Sequence, residues 1–415
     1  ESLLINSSSW IKQAFSPVGY IVIDEFHAFI GTERGMQLLS LLNRIDHVLE
    51  RHANPVPRVA LSATLGELDK VPELLRPDQR LPCEIVTDSN STATLQVQVK
   101  GYLVSVSEKG EEPQSSAEKH VCTDIFRLCR GDSHLVFANS RKRTESIAAT
   151  LSDMCEENVV PNEFFPHHGS LSRELRETLE ARLQQGNLPT TAVCTMTLEL
   201  GIDIGKVQSV IQVTPPHSVS SLRQRMGRSG RRDSPSVLRM LISEQELTAT
   251  SGIVDRLRLQ LVQSMAMIRL MITKRWFEPA DARQMHYSTL LHQILAITAQ
   301  WGGVRADQLW SQLCQTGPFR NIDLTDFKTL LRHMGGYGLL TQLASGEMVI
   351  GAEGEKLTNH YTFYAVFNTP EEFRIVTGSR TLGTVPVDSP LLPDQHIIFG
   401  GRRWKVTEIE VEKKV

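Results

Sequence analysis

Two adjacent carboxylates directly follow a short apolar run near the start of the chain. Tyr20-Ile21-Val22-Ile23 leads into Asp24-Glu25-Phe26-His27. Such a run is typical of a parallel strand buried on both faces, and ligands of open parallel sheets bind at the carboxyl ends of strands. Paired acids there suit hydrolysis of a nucleoside triphosphate, because one can hold hydrated Mg²⁺ while the other orients or deprotonates the attacking water. A solubilising loop or a helix cap is the alternative interpretation.

Hydroxyl and glycine residues follow two further apolar runs. Ser62-Ala63-Thr64 comes after residues 58–61, where a Ser-x-Thr is by itself commonly a turn or a cap. Thr195 and Thr197 follow the predicted strand that ends at Cys194, and Gly201 and Asp203 come soon after them. Small and hydroxyl-bearing residues at a strand end permit the close approach of a phosphate backbone, and Asp203 is suited to bond a ribose hydroxyl or a neighbouring side chain.

The densest basic cluster of the chain, residues 223–232, contains five arginines. Within it, Gly227 and Gly230 remove side-chain bulk, and the three-residue spacing of Arg228 and Arg231 predicts that they project alike from a helix. Guanidinium groups are suited to a γ-phosphate that gains charge in a transition state. A solvated basic face is the alternative, but it does not require two glycines.

Composition bounds the class of protein. The 415 residues suggest about three domains, and 40% hydrophobic with 22% charged residues is ordinary for a globular protein. A net charge of −3 means that any nucleic-acid site is a local groove. Six cysteines without a close pair argue against a disulfide framework or a zinc site, and with no secretory signal we expect a reducing cytoplasm.

The order of predicted elements indicates an α/β fold with parallel sheets. Strands alternate with helices in residues 1–88 and again in 89–250, where His134–Phe137, Thr191–Cys194 and Val207–Val213 are the predicted core strands. Residues 251–285 read as a helical connector. Residues 286–352 give three helices and two strand-like segments, the order of a winged helix, and 353–415 are β-rich.

Taken in order, six segments resemble the successive motifs of superfamily 2 helicases. They are Asp24–His27, Ser62–Thr64, the run Phe137-Ala138-Asn139-Ser140-Arg141, His168–Ser170, Thr195–Asp203 and Gln224–Arg231. The DExH form of the first segment and the elements after residue 250 resemble the large helicase-related (Lhr) family. This resemblance implies two RecA-like lobes, the first one incomplete, then a winged helix and the start of a β-rich domain.

The resemblance also implies roles for individual residues. ATP or dATP with Mg²⁺ would be the cofactor: Asp24 would hold the metal, Glu25 would be the catalytic base, and His27 would couple the site to the second lobe. Gly201 and Asp203 would lie at the nucleotide, and Gln224, Arg228 and Arg231 at its phosphates. Ser62 and Thr64 would link hydrolysis to strand movement. Residues implied to contact nucleic acid are Ser140, Arg141, Gly169, Thr195 and Thr197, and Trp276, between Arg275 and Phe277, is a further candidate for base stacking.

Proteins of this family are similar to 3′-to-5′ translocases on single-stranded DNA that unwind duplexes, among them RNA–DNA hybrids. One departure is clear: no G-x-x-x-x-G-K-[ST] loop occurs, and only 23 residues precede Asp24. Because this loop is missing and the chain begins without Met, we expect the first lobe to be truncated. Without the loop, the chain should bind ATP poorly by itself. The alternatives are a non-catalytic nucleic-acid-binding module derived from a helicase, an RNA-directed DExH helicase, and a restriction or phage-defence translocase.

Overall fold

The computed structural model describes residues 1–51, 55–87, 94–104, 113–199, 204–205, 207–230, 235–279, 283–367, 371–387 and 391–415. The chain forms two compact units, one of Glu1–Thr87 with Pro279–Thr369 and one of Asp88–Glu278 with Pro370–Val415. The five-part division predicted above remains a proposal, and the contacts within each unit are described separately below. Among the described helices, none has both the length and the apolar character needed to cross a bilayer.

The first part of unit 1 contains a two-stranded parallel sheet. Its elements are α1 (Ser2–Asn6), α2 (Ser8–Phe15), β1 (Ile21–Ile23), α3 (Glu33–Val48), β2 (Arg58–Ala60) and α4 (Val71–Leu75). Helix α3 begins at its cap Thr32, whose hydroxyl accepts from the amide of Gly35. Ile23 packs with Leu42 and Leu75 in one apolar cluster.

The prediction that β1 is buried on both faces is wrong. Val22 is 60% exposed and its partner Val59 is 38% exposed, whereas Ile23 is buried. Successive side chains of a strand point to opposite faces, and α3 covers only one face of this sheet. An apolar run therefore identified the strand correctly but not its surroundings.

Unit 2 is built on a six-stranded parallel sheet in the order β3-β8-β7-β4-β6-β5, which confirms the predicted parallel α/β fold. Its strands are β3 (Leu95–Val104), β4 (His134–Ala138), β5 (Phe164–His167), β6 (Thr191–Cys194), β7 (Ser209–Val213) and β8 (Ser236–Gln245). Its helices are α5 (Pro113–Cys129), α6 (Arg141–Glu157), α7 (Arg173–Gln185), α8 (Val219–Met226), α9 (Ile253–Arg256) and α10 (Leu259–Arg269).

The sheet of unit 2 has an apolar core on each face. Leu135 and Phe137 pack with Leu222 of α8 on one face, whereas Val136 packs with Ile147 of α6 on the other. The residues of the central strands β4, β6 and β7 are all buried, as expected for parallel strands covered on both sides. Helix α10 continues as a π-helical turn, Leu270–Lys274, and contributes Met267 and Met271 to the first core.

The remainder of unit 1 contains α11 (Tyr287–Trp301), β9 (Val304–Arg305), α12 (Ala306–Trp310), α13 (Leu324–Gly336), β10 (Leu340–Gln342), β11 (Glu347–Ile350) and α14 (Ala352–Thr358). Strands β10, β11 and β9 form an antiparallel sheet, so the predicted helices and strand pair lie close to their expected positions. Helix α11 packs on α3, where the Ser40 hydroxyl donates to Gln293 at 2.8 Å in a fully buried contact.

The last described elements pair as two antiparallel hairpins within unit 2. They are β12 (Glu372–Thr377) with β13 (Arg380–Pro386), and β14 (His396–Phe399) with β15 (Arg402–Lys405). Leu382 and Phe399 from these hairpins share an apolar cluster with Leu171, which immediately precedes α7.

Candidate functional site

The Asp24–His27 segment forms a tight turn at the carboxyl end of β1. Glu25 has a φ of +49°, a left-handed conformation that costs a non-glycine residue on the order of 1 kcal/mol. Its amide donates to the Asp24 carboxylate at 2.9 Å. Phe26 is buried, and its amide donates to the carbonyl of Leu61 at 2.9 Å, which anchors the turn to the end of β2.

The turn contacts the Ser62–Thr64 segment directly. The Nδ1 atom of His27 is hydrogen-bonded to the Ser62 hydroxyl at 2.9 Å and lies 3.4 Å from the Oε2 atom of Glu25. Thr64 is buried, and its amide donates to the Ser62 hydroxyl at 3.4 Å. Because β1 and β2 are parallel neighbours, their carboxyl ends bring two segments 35 residues apart into one site.

The oxygen donors of this turn fit a hydrated divalent cation. Asp24 is exposed, and the Oε2 atom of Glu25 is buried without a hydrogen-bond partner. No group of three ligating side chains occurs in the described part of the chain. Mg²⁺ usually keeps several waters and takes one or two carboxylates together with substrate phosphates, so a sparse set of oxygens matches its requirements.

Four of the predicted nucleic-acid contacts lie after strands β4, β5 and β6, which are adjacent in the sheet of unit 2. Ser140 caps α6, where its hydroxyl accepts from the amide of Arg143 at 3.2 Å. Gly169 is exposed, and a Cβ atom there would meet no atom within 4 Å. Thr195 is half-buried, and its amide donates to the carbonyl of His167 at 3.2 Å. Arg141, at the start of α6, has a 52% exposed side chain.

The hydroxyl of Thr197, the fifth predicted contact, is hydrogen-bonded to a histidine that sequence reasoning missed. The Thr197 hydroxyl lies 2.8 Å from Nδ1 of His167, whose Nε2 atom lies 2.8 Å from Glu180. Burial lowers the pKa of His167, and this outweighs the opposing effect of Glu180. The available signal was its position as the last residue of β5, at the same sheet edge as the hydroxyl residues.

Helix α8 carries Gln224 and is fixed at its N-terminus by two caps. The Ser218 hydroxyl accepts from the amide of Ser221, and the Glu278 carboxylate accepts from the amides of Val219 at 2.6 Å and Ser220 at 3.0 Å. Burial alone would raise the pKa of Glu278, but these hydrogen bonds lower it below its ordinary value. The caps hold the helix that leads into the arginine segment.

The expectation that Arg228 lies on a helix is wrong. Helix α8 ends at Met226, Arg228 lies in the turn that follows, and Ser229 forms a bridge with Val207. The chain leaves the helix because the Arg228 carbonyl accepts from the amide of Val207 at 3.1 Å. The Nε and Nη2 atoms of Arg228 donate to the Glu199 carbonyl at 3.2 and 3.0 Å. Arg231 lies outside the described residues, as do Gly201 and Asp203.

Arg225 and Glu199 form a buried pair that sequence reasoning also missed. The Nε atom of Arg225 donates to the Glu199 carboxylate at 2.9 Å, and Nη1 donates to Gln212 at 2.6 Å. The guanidinium group lies 4.7 Å from the centroid of the Phe137 ring. Glu199 therefore links the Thr195–Glu199 segment to the arginine segment twice, through its side chain to Arg225 and through its carbonyl to Arg228.

We expect Glu199→Ala to lower the free energy of unfolding by about 3 kcal/mol, because it leaves a buried arginine without its counter-charge. Urea denaturation measures the change. Glu199→Gln keeps a hydrogen-bond acceptor at the same position and should lose clearly less. A loss below about 1 kcal/mol for the alanine variant would show that Gln212 and the Phe137 ring suffice for Arg225.

Trp276 follows the π-helical turn of unit 2 and is 41% exposed. Its amide donates to the carbonyl of Leu270 at 3.0 Å, which fixes the backbone while the residue stays accessible. Trp276 thus has the exposure that base stacking requires.

The chain is similar in sequence to known helicases. The family model of the helicase conserved C-terminal domain matches residues 118–233. The chain is 32% identical over 222 residues to the ATP-dependent helicase Lhr-Core of Methanothermobacter thermautotrophicus, a match that covers 53% of this chain and 25% of that protein. It is 26% identical over 414 residues to Lhr-Core of Saccharolobus solfataricus, covering 96% and 45%.

A solved structure is similar as well. Helicase Lhr of Mycobacterium smegmatis, bound to ssDNA and AMP-PNP, superposes with a TM-score of 0.67 at 25% identity, over 90% of this chain and 46% of that one. The chain thus spans less than half the length of each of these relatives. Strands β4 to β7 of the parallel sheet lie within the residues that match the helicase conserved C-terminal domain. Over most of its length, the chain is similar to helicases of the Lhr family.

Proposed function

We propose that the protein is an ATP-driven nucleic-acid helicase or translocase. The observation that carries this proposal is the Asp24–His27 turn, where an exposed carboxylate and a buried, unsatisfied Glu25 oxygen lie beside a histidine bonded to Ser62. A relative of this chain binds AMP-PNP and ssDNA. Single-stranded DNA is therefore the preferred partner in our proposal, with 3′-to-5′ polarity and with RNA–DNA duplexes among the substrates.

The residues of the turn have different roles in the proposed hydrolysis of ATP. Bound Mg²⁺ would neutralise charge on the phosphates, with Asp24 as its protein ligand. Glu25 accepts a proton from the attacking water, since its Oε2 atom makes no hydrogen bond and its nearest polar neighbour is Nδ1 of His27 at 3.4 Å. His27 connects this base to the Ser62 hydroxyl, and Thr64 holds Ser62 from the other side, so that a change at Glu25 reaches the Ser62–Thr64 segment.

In our proposal the arginine segment would supply positive charge to a nucleotide. Gln224, Arg228 and Arg231 bind its phosphates in this proposal, and Gly201 and Asp203 lie at the sugar. Two hydrogen bonds to the Glu199 carbonyl orient the Arg228 side chain, and a guanidinium group suits a phosphate because it carries several N–H donors in a fixed geometry. Repeated binding and release of the phosphates by these arginines would drive the steps along the strand.

The strand itself contacts the carboxyl edge of the sheet in unit 2. Ser140, Arg141, Gly169 and Thr195 lie there, and Thr197 acts through its contact with His167. Hydroxyl groups, a cation and an open glycine are the groups that contact phosphates without reading sequence. The three helices and the three-stranded sheet of residues 287–350 are proposed as a winged helix that separates the duplex.

The proposal is tested by measuring ATP hydrolysis by the full-length protein with no strand, with single-stranded DNA and with RNA, together with displacement of a labelled strand from 3′-tailed and 5′-tailed duplexes. Stimulation by DNA and displacement from the 3′-tailed duplex are expected. Greater stimulation by RNA would favour the RNA-directed DExH helicase. Strand binding without hydrolysis would favour a non-catalytic binding module.

Trp276 provides a separate prediction. If its ring stacks on a base, Trp276→Ala should weaken strand binding about 5- to 150-fold, which corresponds to about 1–3 kcal/mol for one stacked base. Fluorescence anisotropy with a labelled oligonucleotide measures the change, and Trp276→Phe should retain most of the affinity. Equal binding by the alanine variant and the unmodified protein would remove Trp276 from the strand path.

A further inference from the structure

The two C-terminal hairpins of unit 2 bond to the loop that contains Gly169. We name residues 371–387 and 391–405 the C-terminal clasp. The amide of Ser172 donates to the carbonyl of Leu382 at 2.8 Å, and the amide of Thr384 donates to the carbonyl of Ser170 at 2.8 Å. Leu171 and Gly383 form an antiparallel bridge between these two bonds. The clasp thus adds a short β-ladder to residues 170–172.

Two glycines of the clasp permit this close approach. A Cβ atom on Gly383 would lie 2.0 Å from the Ser170 carbonyl oxygen and 3.0 Å from Cα of Leu171. A Cβ atom on Gly401 would lie 3.0 Å from the ring of Pro166 in β5. Because these are contacts with backbone and with a rigid ring, neither neighbour can move aside easily, and any larger residue would force the clasp away from the lobe.

Glu145 joins the clasp to the other side of the same loop. This buried carboxylate, on α6, accepts from the amide of Gly400 at 2.8 Å and from that of Gly401 at 2.7 Å. It also bonds the Nε2 atom of His168 at 2.7 Å. The other ring nitrogen of His168 is buried without a partner, so Glu145 is the polar contact that orients the ring.

Hydrogen bonds therefore fix the residues on both sides of Gly169. Glu145 holds His168 on one side, and Thr384 holds the Ser170 carbonyl on the other. Gly169 itself is exposed with open space around it. The clasp also lies beside Arg141, another predicted nucleic-acid contact, because the Glu372 carboxylate is 4.0 Å from its guanidinium group.

We propose that Glu145 is a positioning residue for nucleic-acid binding and that the C-terminal clasp acts through it to set the position of the Gly169 backbone at the sheet edge. The inference rests on the proposed function, because it assumes that residues 168–170 contact the strand. Neither Glu145 nor the clasp glycines need touch nucleic acid: their effect passes through His168 and Ser170. The ligand class is the phosphate backbone of a single strand.

The test uses Glu145→Gln and Gly401→Ala in the full-length protein. A carboxamide at position 145 presents an N–H₂ group toward donors, and a methyl group at position 401 meets Pro166, so both changes loosen the clasp. The matched controls are Glu157→Gln, an exposed carboxylate on the same helix, and Gly378→Ala. Gly378 has a φ of +58°, similar to the +70° of Gly401, but nothing within 4 Å of its Cβ position.

For both test variants we expect faster amide exchange at residues 168–172 and at least a tenfold rise in the DNA concentration that gives half-maximal ATPase stimulation. ATP hydrolysis without DNA should stay within about twofold of the unmodified protein, and the controls should not change. A purely stabilising role would instead lower both activities together with the melting temperature, and that result would overturn the proposal.

Faster amide exchange at residues 168–172 with an unchanged DNA concentration for half-maximal ATPase stimulation would overturn the proposal as well. The loop would then move without any effect on DNA binding. If Glu145→Gln fails to fold, Gly401→Ala decides the outcome. Failure of the proposed function would give a different result: ATP hydrolysis by the unmodified protein would not depend on a nucleic-acid strand. In that case the strand-binding part of the inference fails, and amide exchange at residues 168–172 still tests the mechanical part.

Discussion

Replacing Glu25 with Gln is expected to lower DNA-stimulated ATP hydrolysis by at least about 100-fold, in the range of general-base contributions. The amide has nearly the shape of the carboxylate but cannot accept the proton of the attacking water. The buried Oε2 atom makes no hydrogen bond in the structure, and its contact with Nδ1 of His27 is long, at 3.4 Å, so the substitution disturbs little besides the base itself. Steady-state hydrolysis under saturating DNA gives the turnover number.

Binding of the nucleotide should survive this change. A fluorescent ATP analogue should bind the variant within about threefold of the unmodified protein, because Asp24 remains in place. Glu67→Gln is a useful control, since Glu67 is another acidic residue of the same unit with a left-handed backbone, at φ +47°, and it pairs with Lys70 at the surface. Undiminished turnover in Glu25→Gln would remove Glu25 from the role of base.

Replacing Arg228 with Ala is expected to lower the turnover number by about 10³-fold or more, the range found when an arginine that stabilises transferring phosphate is lost. Two of its nitrogen atoms donate to the Glu199 carbonyl, so the side chain is already oriented before any ligand binds. DNA affinity, measured by anisotropy, should change by less than about threefold. Arg231→Ala should reduce turnover similarly in our proposal.

The Arg228 result separates two roles for the segment. Equal losses of turnover and of DNA affinity would indicate a plain phosphate contact with the strand in place of a contact with the nucleotide. Arg173→Ala provides the control, because Arg173 lies on a helix of the same unit and its side chain is 84% exposed and paired with Glu177. Thermal melting should show all three variants folded, since none of them removes a buried pair.

The buried strands of unit 2 could be predicted closely from the sequence. The strand predicted over Thr191–Cys194 has those bounds, and the one predicted over His134–Phe137 extends one residue further, to Ala138. A parallel strand covered on both faces requires apolar side chains at every position, and that requirement is visible locally. Polar residues at the ends of these strands were equally visible, which is why the candidate contacts in the described chain could be named.

Burial and pairing over long distances could not be predicted in this way. Val22 lies in an apolar run but is exposed, because only the packing of α3 determines which face of β1 is covered. Arg225 looks like its neighbours in the arginine segment, yet its side chain pairs with Glu199 in the core. The helix expected through Arg228 ends early because of a bridge to Val207, about 20 positions away, which helix spacing does not encode.

The sequence by itself determined which residue types stand at the ends of the strands, and through them the resemblance to a helicase family and the chemistry that we propose. Local pattern suffices for this, because a buried strand and the polar residue after it are neighbours in the chain. Only the tertiary structure decided how those residues are held: Glu145 meets Gly401 across 256 positions, and no local spacing constrains such a pair. The contacts that position a site form when distant segments pack, so they depend on the whole of unit 2 folding together.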